Sequence, residues 1–151
     1  MKTWEMKEPY PGAHIRVQMG EIYHHGIYIG NDEVVQFGLP FTGLQHASDV
    51  RVIKSHINEF LNNGFLEVRN FTKKEKKLKN SDEEIVKIAL SRLGEGNYDI
   101  LKNNCEHFAN ECVFNQKIST QVDAIHEEIR KKLERIKQRS EEIRAQTGDA
   151  G

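Results

Sequence analysis

The sequence predicts an α+β domain followed by one long helix. Apolar side chains alternate over His14 to Met19 with the period of a strand, Ile22 to Ile29 is rich in Ile and Tyr, and Glu33 to Phe37 returns as a third strand after a turn. Helical spacing behind capping residues takes over after Ser81 and after Asn103-Asn104. From Ser119 onward, Val122, Ile125, Ile129, Leu133, Ile136, Ser140 and Ile143 recur roughly every 3.5 residues amid dense mixed charge.

At 151 residues the chain suits one domain with an appendage, large enough to bury a core without disulfides or a structural metal. Lys+Arg number 22 against 23 Asp+Glu, a formal charge of −1, and that balance argues against a dedicated nucleic-acid binder. No apolar run approaches the ~20 residues of a membrane helix or the roughly 7–15 of a signal-peptide core. The expected address is therefore the cytoplasm. Cys105 and Cys112 lie two helical turns apart, about 10 Å along an axis. A disulfide needs Cα atoms within about 7 Å, so the two cannot pair inside an intact helix.

Taken in order, residues 1–10 read as a frayed lead-in and Pro11-Gly12 as a turn into the first strand. A three-residue turn, Gly30-Asn31-Asp32, joins the second and third strands. Gly38 to Ser48 reads as a loop broken by Pro40 and Gly43, and Val50 and Val52 suggest another strand. Ser55 is placed to cap a helix from His56 to Asn62, closed by Gly64, and Phe65 to Phe71 reads as a strand. The lysine-rich stretch 73–79 reads as a solvated loop, or as a patch drawn to anionic headgroups. Ser81 to Glu84 opens a helix carrying Ile85, Ile88, Ala89 and Leu93 on one side, which Gly94 and Gly96 end. A short extended piece, Tyr98 to Leu101, precedes a helix from about Cys105 to Asn115.

On that helix Cys105, Phe108, Ala109 and Cys112 share one inward face, with Cys105 in the first turn. Unpaired N–H groups and a partial positive charge at a helix start favour thiolate and can hold an oxyanion. Cys112 reads as a core thiol. A nucleophilic cysteine needs a base. His107 points about 200° away from Cys105, so it reads as structural, and the same splay argues against a metal site. Among the strand residues, His24, Gly26 and Tyr28 share one face; His25, Ile27 and Ile29 share the other. A three-residue turn places Gln36 opposite Gly26 and diagonal to His24; a two-residue turn flips that parity.

The stretches His24-His25-Gly26-Ile27-Tyr28-Ile29-Gly30-Asn31 and Asn104-Cys105-Glu106-His107-Phe108, with weaker support from Pro11-Gly12, Glu59-Phe60-Leu61 and Arg92 to Gly96, resemble the lecithin:retinol acyltransferase (LRAT) domain family. That family includes the HRAS-like suppressor phospholipase/acyltransferases. The resemblance covers roughly residues 11 to 115. It implies a circularly permuted papain-like, NlpC-related fold, an antiparallel sheet packed with the nucleophile helix. It divides the chain into an LRAT-like catalytic domain (11–117), a charged amphipathic C-terminal helix (118–146) and a disordered tail (147–151).

By the same resemblance Cys105 is the nucleophile, His24 the general base, and the backbone N–H of Cys105 an oxyanion donor. His25 takes the place of a bulky neighbour. Gln36 stands where relatives often carry histidine, orienting His24 without sharing its charge. Ala13 stands where relatives often carry aspartate. The implied activity is a cysteine-dependent acyltransferase or hydrolase acting on phospholipid-type esters through an acyl-thioester, with no cofactor. Two other readings stay open: an NlpC-type amidase or peptidase, and a catalytically weak binding module whose helix recruits a partner. Expected partners are a lipid ester, a transiently touched membrane surface, and a protein or second copy joined through the C-terminal helix.

Overall fold

The computed structural model describes residues 2–39, 46–99, 103–115 and 120–147. The chain forms two compact units, 1–119 and 120–151. Among the described residues, six strands make one antiparallel sheet: β1 (Trp4–Glu5), β2 (His14–Met19), β3 (Ile22–Gly30), β4 (Glu33–Phe37), β5 (Val52–His56) and β6 (Glu67–Arg69). Their spatial order is β1-β6-β2-β3-β4-β5. The first unit's helices are α1 (Ile57–Leu61), α2 (Lys73–Leu78), α3 (Asp82–Ser91) and α4 (Cys105–Phe114), while the second unit is α5 (Thr120–Thr147). The class is α+β, as the alternation and capping patterns predict.

Alternation along the strands splits the core in two. Ile27, Val35, Phe37 and Val52 pack with Ile85 and Ala89 of α3 and with Cys105, Phe108, Ala109, Cys112 and Val113 of α4. Ala13, Ile15, Val17, Tyr28, Val34 and Val68 pack with Phe60 of α1. Two-sided burial is why β3 and β4 are apolar on both faces while the outer strands are not.

The β3–β4 hairpin departs from the expected turn. Gly30 pairs with Glu33, so the loop is the two residues Asn31 and Asp32. Both have positive φ (52° and 59°), which is the geometry of a tight primed hairpin turn. Such a turn alone would invert the parity. A register shift between Tyr28 and Gly30 restores it, so Gly26 still faces Gln36.

Other expectations fail locally. The lead-in is not frayed: Trp4 pairs with Arg69 and Glu5 with Val68. The Trp4 indole meets the His14 and His25 rings edge-on at 5.0 and 5.6 Å. Ser55 lies on β5, and the cap of α1 is His56, whose side chain accepts from the Asn58 N–H at 3.1 Å. The lysine run is helical, because Thr72 and Glu75 form a reciprocal capping box that satisfies the first turn. Thr147 is the last residue of α5 rather than the first of the tail; the expectation for 148–151 lies outside the described residues, as do 40–45 of the expected loop. Ile129, Leu133, Ile136 and Ile143 of α5 are exposed.

Gly12 fixes how the sheet meets α3. Its φ is +94°, and a Cβ there would stand 2.7 to 2.9 Å from the backbone and Cβ of Asp82. Its N–H donates to the Tyr28 carbonyl at 2.7 Å. Gly12→Ala combines left-handed strain with a backbone clash and is expected to lower stability by about 2–3 kcal/mol, read as a reduced urea midpoint at unchanged slope.

Candidate functional site

Helix α4 starts where its sequence says it should. The Asn104 side chain accepts from the N–H groups of Glu106 and His107 at 2.9 and 3.0 Å, and the His107 imidazole takes the Asn104 N–H through Nδ1 at 3.0 Å. His107 is thus the returning half of a capping box, which is the structural role its direction predicts. With the cap occupied by Asn104, Cys105 becomes the first residue of the helix. Its sulfur faces the backbone N–H groups of His25, Glu106 and Cys105 itself.

Those donors favour thiolate, yet they lose. Burial pushes the Cys105 thiol up to about 11, and the neighbouring Glu106 carboxylate adds to the rise. The helix-start amides lower this pKa, as expected, but burial outweighs them because a thiolate here would shed its water. Cys112, fully buried two turns on, is pushed up to about 12 by burial, in keeping with a core thiol.

The strand histidines divide as alternation requires. His24 lies over Phe60 of α1, rings edge-to-face at 5.2 Å. Its Nε2–H donates to Gln36 Oε1 at 2.7 Å, leaving Nδ1 as the basic nitrogen. Gln36 Nε2 in turn donates to the Ser55 hydroxyl, which orients the amide. Ser55 escaped the sequence reading because only the β4–β5 pairing brings it beside Gln36. Burial lowers the His24 pKa to about 4, against smaller upward pulls from Gln36 and the Gly38 carbonyl. His24 and Gln36 are therefore brought together. His24 and Cys105 are not brought together: His24 lies on the α1 face of β3 and Cys105 on the α4 face, and no hydrogen bond joins them among the described contacts.

His25 faces α4 and belongs to a second buried group. His14 Nε2 and His25 Nδ1 are 2.8 Å apart, Arg69 Nη1 is 3.2 Å from His14 Nδ1, and His25 Nε2 is 3.8 Å from Glu106 Oε2. The sequence gives no local sign of this cluster, since its members come from β2, β3, β6 and α4.

Three histidines are thus held neutral. His14 is lowered well below its usual value and His25 to about 3, burial being the largest cause in both. The unfolded chain takes up protons near pH 6.5, before the folded one does, so acid favours unfolding. Stability is expected to be full above about pH 6.5 and to fall below it, by up to about 1.4 kcal/mol per pH unit for each histidine, until the folded pKa values are reached. Urea titrations at pH 7.5, 6 and 5 check this; a stability that is flat or rising toward pH 5 contradicts it.

The comparisons with known proteins agree with this geometry. The profile of the family described as "Lecithin retinol acyltransferase" matches residues 7–118. The chain is 26% identical to the rat (Rattus norvegicus) protein called "Lecithin retinol acyltransferase", over 82% of this chain and 65% of that protein. The chain thus spans just under two thirds of this relative's length. The capped α4 with Cys105 in its first turn, and the histidine strand beneath it, lie wholly within the matched region, and the chain belongs to the lecithin retinol acyltransferase family.

Proposed function

We propose that the protein is a cysteine-dependent acyltransferase, or lipase-like hydrolase, acting on lipid esters of the phospholipid type. Family membership carries the activity class. The single structural observation that supports the mechanism is the capped start of α4, which puts Cys105 buried in the first turn of a helix. Strand β3 with His24 precedes α4 with Cys105 in the chain, an order that suits a permuted papain-like topology. The catalytic part is assigned to residues 11–117, with 118–146 as an appended helix.

In this reading the resting site is a neutral thiol beside a neutral imidazole. His24 and Cys105 rest against opposite faces of β3, so this reading requires the first turn of α4 to shift when ester enters; His24 Nδ1 then takes the thiol proton as sulfur attacks the acyl carbon. The Cys105 and Glu106 amides then hold the oxyanion. His24 returns the proton to the departing alcohol, leaving an acyl-thioester on Cys105. Water or an acceptor alcohol or amine receives the acyl group. Gln36 keeps the imidazole in the Nε2–H form throughout.

No described helix is long and apolar enough to cross a membrane. One observation favours a second reading, a catalytically weak binding module: burial holds the thiol protonated and makes the imidazole a weak base.

Mass spectrometry after incubation with a phospholipid panel decides between them. The first reading expects an acyl-sized adduct on Cys105 that vanishes in Cys105→Ala; no adduct with any ester leaves the binding module. His24→Ala is expected to slow turnover by about 10²–10⁴ by removing the base. Gln36→Ala should cost less, about tenfold, because it removes orientation only. Full activity in a folded His24→Ala protein removes His24 from the mechanism.

A further inference from the structure

The buried cluster behind Cys105 has a direction. Arg69 has only donors, so His14 Nδ1, 3.2 Å from Nη1, must be the acceptor. His14 then carries its proton on Nε2, which donates to His25 Nδ1 at 2.8 Å. His25 consequently carries its own proton on Nε2, and that N–H is directed at Glu106 Oε2, 3.8 Å away. Both rings are fully buried, and the Trp4 indole packs edge-on against both. At its far end Arg69 is held by Asn110 Oδ1 of α4 and by Glu75 Oε2 of α2, each at 2.9 Å.

We propose that His14 and His25 are positioning residues for Cys105: a one-way relay from Arg69 through two neutral imidazoles toward Glu106, which seats the first turn of α4 on β3 and directs an N–H at the carboxylate beside the nucleophile. Its functional weight rests on the reading of Cys105 as nucleophile; its existence does not. The polarity admits no extra proton, because a second N–H on either ring would face a donor: Arg69 at His14, His14 at His25. The other charged or titratable neighbours are Arg16 on β2 and His24 on β3. Arg16 is itself stacked between Trp4 and Tyr23 and paired with Glu67 at 2.9 Å. His24 is held by Gln36 on the opposite face.

The test uses the full chain with 15N-labelled histidine. Long-range 15N–1H spectra at pH 7.5 are expected to show His14 and His25 neutral and in the Nε2–H form; an Nδ1–H form or an imidazolium at either overturns the relay. His14→Leu should release the His25 tautomer and leave the Glu106 charge less compensated. Alkylation of Cys105 by iodoacetamide, counted separately from Cys112 by peptide mass spectrometry, should then slow about threefold at fixed pH, half a unit in thiol pKa. His14→Gln keeps an acceptor and a donor and should restore the wild-type tautomer and rate. If His14→Leu changes neither readout, or His14→Gln behaves as His14→Leu does, packing alone explains the cluster and the proposal falls. Should His14→Leu not fold, Glu106→Gln serves: removing the charge should speed alkylation about threefold, and an unchanged rate overturns the proposal. Neither readout needs substrate, so an intact relay in a protein that never forms an acyl adduct refutes the acyltransferase reading alone.

Discussion

Seating the first turn of α4 against β3 sets most of what this site can do. The seat exists because Asn104 and His107 satisfy the helix start between themselves, which lets Cys105 enter the core instead of serving as the cap. Once there, the sulfur is pulled both ways. Three amides stabilise a negative charge on it, and the loss of water opposes that charge. Desolvation of an ion costs more than a few partial charges return unless a full counter-charge is near. The full charge that acts on it is Glu106, of the wrong sign. A neutral resting thiol is the result.

The same accounting gives the histidine strand its logic. Adjacent residues on a strand point to opposite faces, so His24 and His25 cannot share a task. His24 takes the face with Gln36, and the amide fixes one nitrogen while leaving the other basic. His25 takes the α4 face, where both of its nitrogens are already engaged, one by His14 and one toward Glu106. Of the two, only His24 retains a nitrogen able to accept a proton. The register that makes this work depends on one extra residue in β3, without which Gln36 would turn into the α4 core.

Much of this was legible in the residues, and the gaps have physical causes. The central strands, α3 and α4 carry their own periodicity and caps, so local sequence specified them. The pairing of Gln36 with Gly26 was reached by assuming a three-residue turn, whereas a two-residue turn and a bulge give the same parity. A bulge has no composition signal beyond Gly30, so the two solutions could not be told apart. β1 is two residues long and exists only because β6 offers it an edge, and nothing in Trp4-Glu5 announces a partner 60-odd residues away. The α2 cap, Thr72-Lys73-Lys74-Glu75, has capping-box form in the sequence, but the dense lysine charge that follows it is equally characteristic of a solvated loop. Ser55 and the His14–His25 cluster could not be seen, because they are products of tertiary register rather than of spacing. The sign of the Cys105 shift was missed for a related reason: helix position is a local property, and burial is not.

A nucleophile that rests neutral and buried is suited to an ester that brings its own apolar surroundings. A permanently ionised thiolate would react with any small electrophile and with oxidants. In the proposed mechanism the proton moves only when an acyl carbonyl is present to accept the electron pair and the Cys105 and Glu106 amides are free to receive the resulting oxyanion. The His25 N–H and the His24 ring lie on consecutive residues of one strand and therefore on opposite faces, so bringing sulfur to imidazole takes a shift of the helix start and not a side-chain rotation alone. Rigidity behind Cys105 then has a purpose in that mechanism: the helix start seated by Asn104 and by the cluster reaching Arg69 keeps together, as one unit, the cysteine and the amides proposed to hold the oxyanion.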